Sequence, residues 1–125
     1  MFNTYDYKHG KCELFAIVLN KYLGYPIRFY IDPEGDIESF DEPMPVLIHA
    51  CNILNNNTLI DVEGKIKTEN ILDEFDYYDI DIIDVNSKEE AINVLKDINL
   101  PYRMNKDEEN FITEHIKNNL SKYSK

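Results

Sequence analysis

The sequence predicts an α+β fold: a helix bearing a cysteine packs on an antiparallel sheet, and further helices follow at the C-terminus. Three observations carry this prediction. The segment "CELFAIVLNKYL" spaces its apolar residues as an amphipathic helix does. Segments rich in β-forming residues and separated by turn sequences follow it. Polar, helix-periodic segments occupy the C-terminal part. At 125 residues the chain is expected to form a single domain over 1–125.

The first half of the chain contains the predicted helix and its first strand. The helix is expected over 12–23, because its apolar side chains share one face. Gly24, followed by a proline two residues later, should end it. "IRFYID" over 27–32 alternates and is rich in β-formers, which predicts a strand. The proline-containing stretch 37–45 is expected to be a loop.

A β-hairpin is predicted next, with "VLIHACNIL" as one strand, three asparagines as the turn and "TLIDVEG" as the returning strand. A three-residue turn pairs His49 with Glu63 and places Asp61 opposite Cys51. His49 and Asp61 then share a face, and Asp61 can reach His49 diagonally. A two-residue or four-residue turn would place the two side chains on opposite faces.

The second half is predicted to hold three helices and a strand. A short helix is expected from Thr68 or Glu69 to Phe75, and "YDIDIIDV" is expected to be a strand. Ser87, with Glu90 three residues later, forms a capping-box start for another helix. The tail over 106–123 is predicted to be a polar helix with one apolar face.

The formal net charge of −11 argues against direct nucleic-acid binding, which needs clustered Lys and Arg. No apolar run is long enough to span a bilayer, and the N-terminus lacks the order of a signal peptide. A cytoplasmic location is therefore expected, either in the host cell or in a cell into which the protein is delivered. Two cysteines in that compartment should be thiols. The acidic residues concentrate between 70 and 90, an expected solvated surface: Asp73, Glu74, Asp76, Asp79, Asp81, Asp84, Glu89 and Glu90.

Cys12 lies at the predicted N-terminus of a buried helix, which is a favourable position for a nucleophile. The unpaired N–H groups of the first turn and the helix dipole favour a thiolate and should lower the thiol pKa. The same N–H groups can supply half of an oxyanion hole. A cysteine nucleophile also needs a base and a group that orients the base. His49 and Asp61 follow in that order.

The segments "GKCELFAIVLNKYLG", "IHACNIL" and "TLIDVEG" resemble the core of the papain-like, transglutaminase-like cysteine enzymes. The resemblance covers about the first half of the chain and implies a papain-like fold. It implies that Cys12 is the nucleophile, His49 the base and Asp61 the orienter. It also implies acyl transfer from an amide or ester, as in a protease, a deamidase or a transglutaminase, without a cofactor and with a protein or peptide substrate. Tyr5 and Tyr7 are the candidates for a second oxyanion donor.

Two other functions fit the sequence. His9, Cys12, His49 and Cys51 form an H-x2-C and an H-x-C pair, which four-coordinate zinc could use. The leading prediction nevertheless contains no metal. The chain could also be a non-enzymatic acidic interaction module on a papain-like scaffold, such as an inhibitor, an immunity factor or a nucleic-acid mimic.

Overall fold

The computed structural model describes residues 3–9, 11–33, 45–73 and 80–124, without the side chains of residues 8, 9, 72 and 73. Within these ranges the fold is α+β, with several helices and one antiparallel sheet of five strands. The helices are α1 (Thr4–His9), α2 (Cys12–Leu23), α3 (Thr68–Asp73), α4 (Lys88–Asp97), α5 (Lys106–Asn118) and α6 (Leu120–Tyr123). The strands are β1 (Ile27–Asp32), β2 (Val46–Asn55), β3 (Thr58–Asp61), β4 (Gly64–Lys67) and β5 (Asp81–Val85).

The strands lie in the order β4-β3-β2-β1-β5, so that β2 is the central strand of the described sheet. Helix α2 packs on one face of β2, and the side-chain amide of Asn52 donates to the Ala16 carbonyl at 2.9 Å. Because successive side chains of a strand point to opposite faces, Ala50 and Asn52 face α2 while Cys51 faces away from it. The sheet therefore divides the apolar interior into two sides.

Helix α2 has the predicted bounds, and the physical reason lies at its two ends. Its residues from Cys12 to Leu19 are all buried, since α1, α5 and the sheet surround its first two turns. It ends at Gly24, whose backbone has a φ of 82° and whose N–H donates to the Asn20 carbonyl at 2.8 Å. Glycine adopts this left-handed conformation without the steric cost that a Cβ atom brings.

The hairpin β2–β3 keeps the predicted register through a different turn. The prediction of a three-residue turn is wrong: Asn55 pairs with Thr58 across a two-residue turn. The register then shifts between Ile53 and Asn55, which adds one residue to β2. Asn52 consequently pairs with Ile60, and the same register continued by one residue sets Cys51 beside Asp61, as predicted. The irregularity restores the parity that a two-residue turn alone would have reversed.

Several other predicted elements have different bounds in the structure. The predicted strand over 58–64 is two strands, because the chain turns at Val62 and Glu63 before β4 starts at Gly64, whose φ is 114°. The tail is two helices, α5 and α6, separated at Asn119. Helix α1 was not predicted. The loop predicted over 37–45, except for its last residue, and the end of the helix predicted to Phe75 lie outside the described residues.

The predicted helix after Ser87 is α4, and its cap forms as expected, since the Ser87 hydroxyl accepts from the Glu90 N–H at 3.2 Å. The C-terminal helices close one side of the core, where Tyr123 is fully buried against Phe15. None of the described helices is long and apolar enough to cross a bilayer.

Candidate active site

Cys12 is the first residue of α2, directly after the chain leaves α1. The Lys11 N–H donates to the Asp6 carbonyl at 2.7 Å, which holds the junction between the two helices. The Cys12 thiol is buried, with 8% of the residue exposed, and its Sγ accepts a hydrogen bond from the Ala50 N–H at 3.3 Å. Cys12 is thereby fixed to the central strand at the residue that follows His49.

The position of this hydrogen bond places the thiol at the open end of β3. The Ile53 N–H of β2 donates toward β1, to Pro26. Because amide directions alternate along a strand, the Ala50 N–H points to the other side of β2, toward β3. Strand β3 ends at Asp61, opposite Cys51. Cys12, which packs in the apolar cluster on the α2 face, therefore reaches the edge of β2 near the end of β3.

His49 and Asp61 form a buried pair on the face of the sheet that points away from α2, because their strand partners Tyr30 and Cys51 lie in the apolar cluster on that face. Nε2 of His49 lies 3.2 Å from Oδ2 of Asp61, and both residues are more than nine-tenths buried. The second carboxylate oxygen, Oδ1, accepts from the Glu63 N–H at 2.9 Å and so fixes the orientation of Asp61. The predicted diagonal contact between the two side chains is thus confirmed. With Nε2 directed to Asp61, Nδ1 is the ring nitrogen left to exchange a proton with another group.

The structure holds the three predicted residues in a closed arrangement: His49 and Asp61 are together on one face of the sheet, whereas Cys12 lies in the apolar cluster on the α2 face. Among the contacts of the described residues, Cys12 is hydrogen-bonded to the backbone of β2 and not to the His49 ring. The pKa of the Cys12 thiol is raised to about 12, first by burial and then by the neighbouring Glu13, while N–H groups from Ala50 and the first turn of α2 act to lower it. The expected lowering of this pKa is wrong for the closed site, because desolvation outweighs the helix N-terminus.

The two tyrosines predicted as oxyanion donors lie on α1 in different environments. Tyr5 is 69% exposed and projects from the surface. Tyr7 is 2% exposed, and its hydroxyl donates to Oε2 of Glu108 at 2.9 Å. The Tyr7 ring stacks on Phe111 of α5. The Tyr7 hydroxyl is therefore engaged with α5 in this structure.

A buried carboxyl pair beside Cys12 was missed from the sequence. Glu13 and Glu108 are 7% and 4% exposed, although glutamate is rarely buried. Glu108 accepts hydrogen bonds from Tyr7 and from Nζ of Lys11 at 3.1 Å. Oε2 of Glu13 is buried and has no hydrogen-bond partner within the described part of the chain. The helical pattern gave no signal for these two positions, because residues distant in the sequence bury them: α1 and α5 pack against the start of α2.

The alternative zinc site is not assembled in the described part of the chain. There, no three His, Cys, Asp or Glu side chains are grouped to hold a metal ion. Cys12 and Cys51 lie in apolar clusters on opposite faces of the sheet, because Cys51 faces away from α2. The side chain of His9 lies outside the described residues. Cys51 is a buried thiol like Cys12, and burial raises its pKa as well.

Charged residues of the predicted acidic surface lie on β5 and α4 where the structure describes them. Asp81, Asp84, Glu89 and Glu90 are exposed, in agreement with a solvated surface. Asp84 forms a two-pronged ion pair with Arg28 of β1, at 2.8 and 2.9 Å. This acidic surface is separate from the open end of β3.

Comparison of the chain with protein-family models, with curated proteins and with solved structures gave no significant match.

Proposed function

We propose that this protein is a cysteine-dependent acyl-transfer enzyme on a papain-like, transglutaminase-like core. Cys12 is the nucleophile, His49 the general base and Asp61 the residue that orients His49. The observation that carries the proposal is the buried contact of 3.2 Å between His49 and Asp61, in a chain whose Cys12 thiol is hydrogen-bonded to Ala50, the residue after His49. A nucleophile, a base and an orienter are the parts that this chemistry requires, and the Cys12 thiol must move from the α2 face of the sheet to reach His49.

The reaction starts with transfer of the Cys12 proton to Nδ1 of His49. Sγ then attacks the carbonyl carbon of an amide or ester, and the carbonyl π electrons move to its oxygen. The backbone N–H groups at the start of α2 stabilise that oxyanion. When the intermediate collapses, the imidazolium returns its proton to the leaving amine or alcohol, and a Cys12 thioester remains. Water or an acceptor amine then attacks the thioester and regenerates the thiol.

Asp61 has two tasks in this scheme. Its Oδ2 accepts a hydrogen bond from the Nε2–H group of His49. The lone pair of the neutral ring is then on Nδ1, where it can take the thiol proton. The carboxylate also stabilises the imidazolium that forms during the reaction. The hydrogen bond from Glu63 to Oδ1 holds Asp61 in place for both tasks.

The closed arrangement requires the thiol to be activated when substrate binds. A pKa of about 12 means that Cys12 is a neutral thiol at physiological pH. General-base catalysis needs a hydrogen bond between the Cys12 thiol and Nδ1 of His49, so the thiol must leave Ala50 and the start of α2 must shift toward the face of the sheet that holds His49. The proposed substrate is a protein or peptide acyl group, and the proposed setting is the cytoplasm. The negative charge of the chain disfavours nucleic acids as partners.

The test uses p-nitrophenyl acetate as an acyl donor and mass spectrometry to locate the acetyl group. We expect acetylation of Cys12 in the wild type, none in Cys12→Ala, and strongly reduced acetylation in His49→Ala. Cys51→Ala is the matched control, since it removes a thiol that is equally buried, and it should keep the wild-type rate. Equal acetylation of Cys12 with and without His49 would overturn the proposed mechanism.

The second candidate function, a non-catalytic acidic interaction module, is favoured by the burial and the raised pKa of the Cys12 thiol. In that case the exposed acidic residues of β5 and α4 would contact a basic partner. The acetylation experiment separates the two functions. A binding module leaves Cys12 unmodified at every pH at which the fold is intact.

A further inference from the structure

Glu13 occupies an unusual position for a glutamate. It is the second residue of α2, next to Cys12, and only 7% of it is exposed. Among the described residues, its buried Oε2 has no hydrogen-bond partner. A buried carboxyl oxygen without a partner carries a desolvation penalty, which is larger when the group is charged. The structure must therefore favour the protonated form of Glu13.

A second buried carboxyl strengthens this preference. Glu108 of α5 is held by Tyr7 and by Lys11, so its negative charge is fixed close to the start of α2. The pKa of Glu13 is raised to about 7, first by burial and also by Glu108, while Lys11 acts in the opposite direction. Glu13 consequently changes its charge in the range of pH in which enzymes work.

We propose that Glu13 is a proton-linked regulator of Cys12: its buried carboxylate adds to the burial that keeps the neighbouring thiol neutral, and its protonation removes that added restraint. The inference rests on the proposed function, because it assigns a role to a change in thiol reactivity. Glu13 acts through Cys12 and is not itself catalytic. The geometry that supports it is the adjacency of two buried residues in the first turn of α2, with the buried Glu108 carboxylate held by Lys11 just before that turn.

Electrostatics gives this regulation a specific pH profile. The neighbouring Glu13 carboxylate raises the pKa of Cys12, whereas a neutral Glu13 does not. Below the pKa of Glu13, the thiolate population grows tenfold per pH unit. Just above that pKa, most molecules carry an ionised Glu13 and a neutral thiol. A thiolate with a neutral Glu13 has the same number of protons, so the population of this state no longer changes with pH. The logarithm of the thiol reaction rate should rise with pH, flatten above about pH 7 and rise again.

The other titratable groups near Cys12 do not produce this profile. His49 and Cys51 of β2 are the groups that approach from the sheet. Cys51 stays a neutral thiol because burial raises its pKa, and the contribution of His49 is measured with its own variant, His49→Ala. Only a carboxyl group that titrates beside Cys12 flattens the profile and loses this effect when it is replaced by an amide.

The experiment measures alkylation of Cys12 by iodoacetamide between pH 5.5 and 9.5, with peptide mass spectrometry. Iodoacetamide is neutral, so a change in protein charge does not alter its local concentration. In Glu13→Gln we expect the flattened region to disappear and the rate at pH 8.5 to rise by about tenfold, which corresponds to one pKa unit. Labelling of Cys51 in the same sample reports on opening of the fold and should not change.

Two further variants separate this inference from the proposed function. Glu108→Gln keeps one oxygen that can accept from Tyr7 and Lys11 but lowers the pKa of Glu13, so the flattened region should move to lower pH. Glu109→Gln removes an adjacent carboxylate that pairs with Lys21, and its profile should match the wild type. A Glu13→Gln profile within about twofold of the wild type overturns the regulation. An unchanged profile in His49→Ala overturns the triad instead.

Discussion

The buried carboxyl of Glu13 makes the stability of the protein depend on pH in a direction opposite to that of most carboxylates. Its pKa is about 7 in the folded protein, against about 4.3 for an unfolded chain. The folded state therefore favours the protonated form. The folding stability that depends on a protonated Glu13 is fully present below pH 4.3 and is lost as the pH rises toward 7. Linkage gives a penalty of about 1.5 kcal/mol at pH 5.5 and of between 3 and 4 kcal/mol at pH 8.5.

Glu13→Gln removes that penalty, because a buried amide does not ionise. The free energy of unfolding of this variant, relative to the wild type, should therefore increase by about 2 kcal/mol between pH 5.5 and pH 8.5. Urea denaturation at the two pH values measures the difference. Glu109→Gln is the control, since Lys21 lowers the pKa of Glu109 and this carboxylate is ionised at both values. A difference between Glu13→Gln and the wild type that does not change with pH would refute the reasoning.

Two further predictions concern the support of the site. Asp61→Asn should lower the free energy of unfolding by about 1–2 kcal/mol, because the charge-assisted hydrogen bond with His49 is lost, and Asp61→Ala should lower it further. Tyr123→Phe should cost about 1–3 kcal/mol, because the buried hydroxyl donates to the Val62 carbonyl and contacts His115 at 3.0 Å. Urea denaturation at pH 7.5 measures both. A loss below 0.5 kcal/mol, about the change of an ordinary surface substitution, would contradict either prediction.

The sequence was sufficient where one local rule governs an element. The bounds of α2 follow from its periodicity and from Gly24, whose backbone adopts the left-handed conformation that was expected. The diagonal contact between His49 and Asp61 was also predicted, although through the wrong turn. The error shows that strand parity was constrained by the side chains on each face, while the exact turn and the irregularity beside it were not readable from three consecutive asparagines.

Tertiary contacts determine what was missed. Asn3 accepts from the Asp6 N–H at 3.1 Å, which is a local signal for the start of α1 that could have been recognised. No local signal marks Glu13 or Glu108 as buried. Their environment arises when α1 and α5 pack around the start of α2. The contact between Lys11 and Glu108, for example, joins residues that are 97 positions apart in the sequence. The raised pKa of Cys12 has the same origin, because burial by distant elements produces it.

The cost of this arrangement bears on the choice between the two proposed functions. A buried polar atom without a partner costs about 1–3 kcal/mol, in a domain whose whole stability is about 5–15 kcal/mol. A binding module that used the exposed acidic residues of β5 and α4 would gain nothing from the buried carboxyl oxygen of Glu13 on α2, which is unpaired within the described residues. A thiol enzyme gains control over its nucleophile from the same carboxyl. Unfavourable local choices of this kind are expected at functional sites, and the one at Glu13 lies next to Cys12.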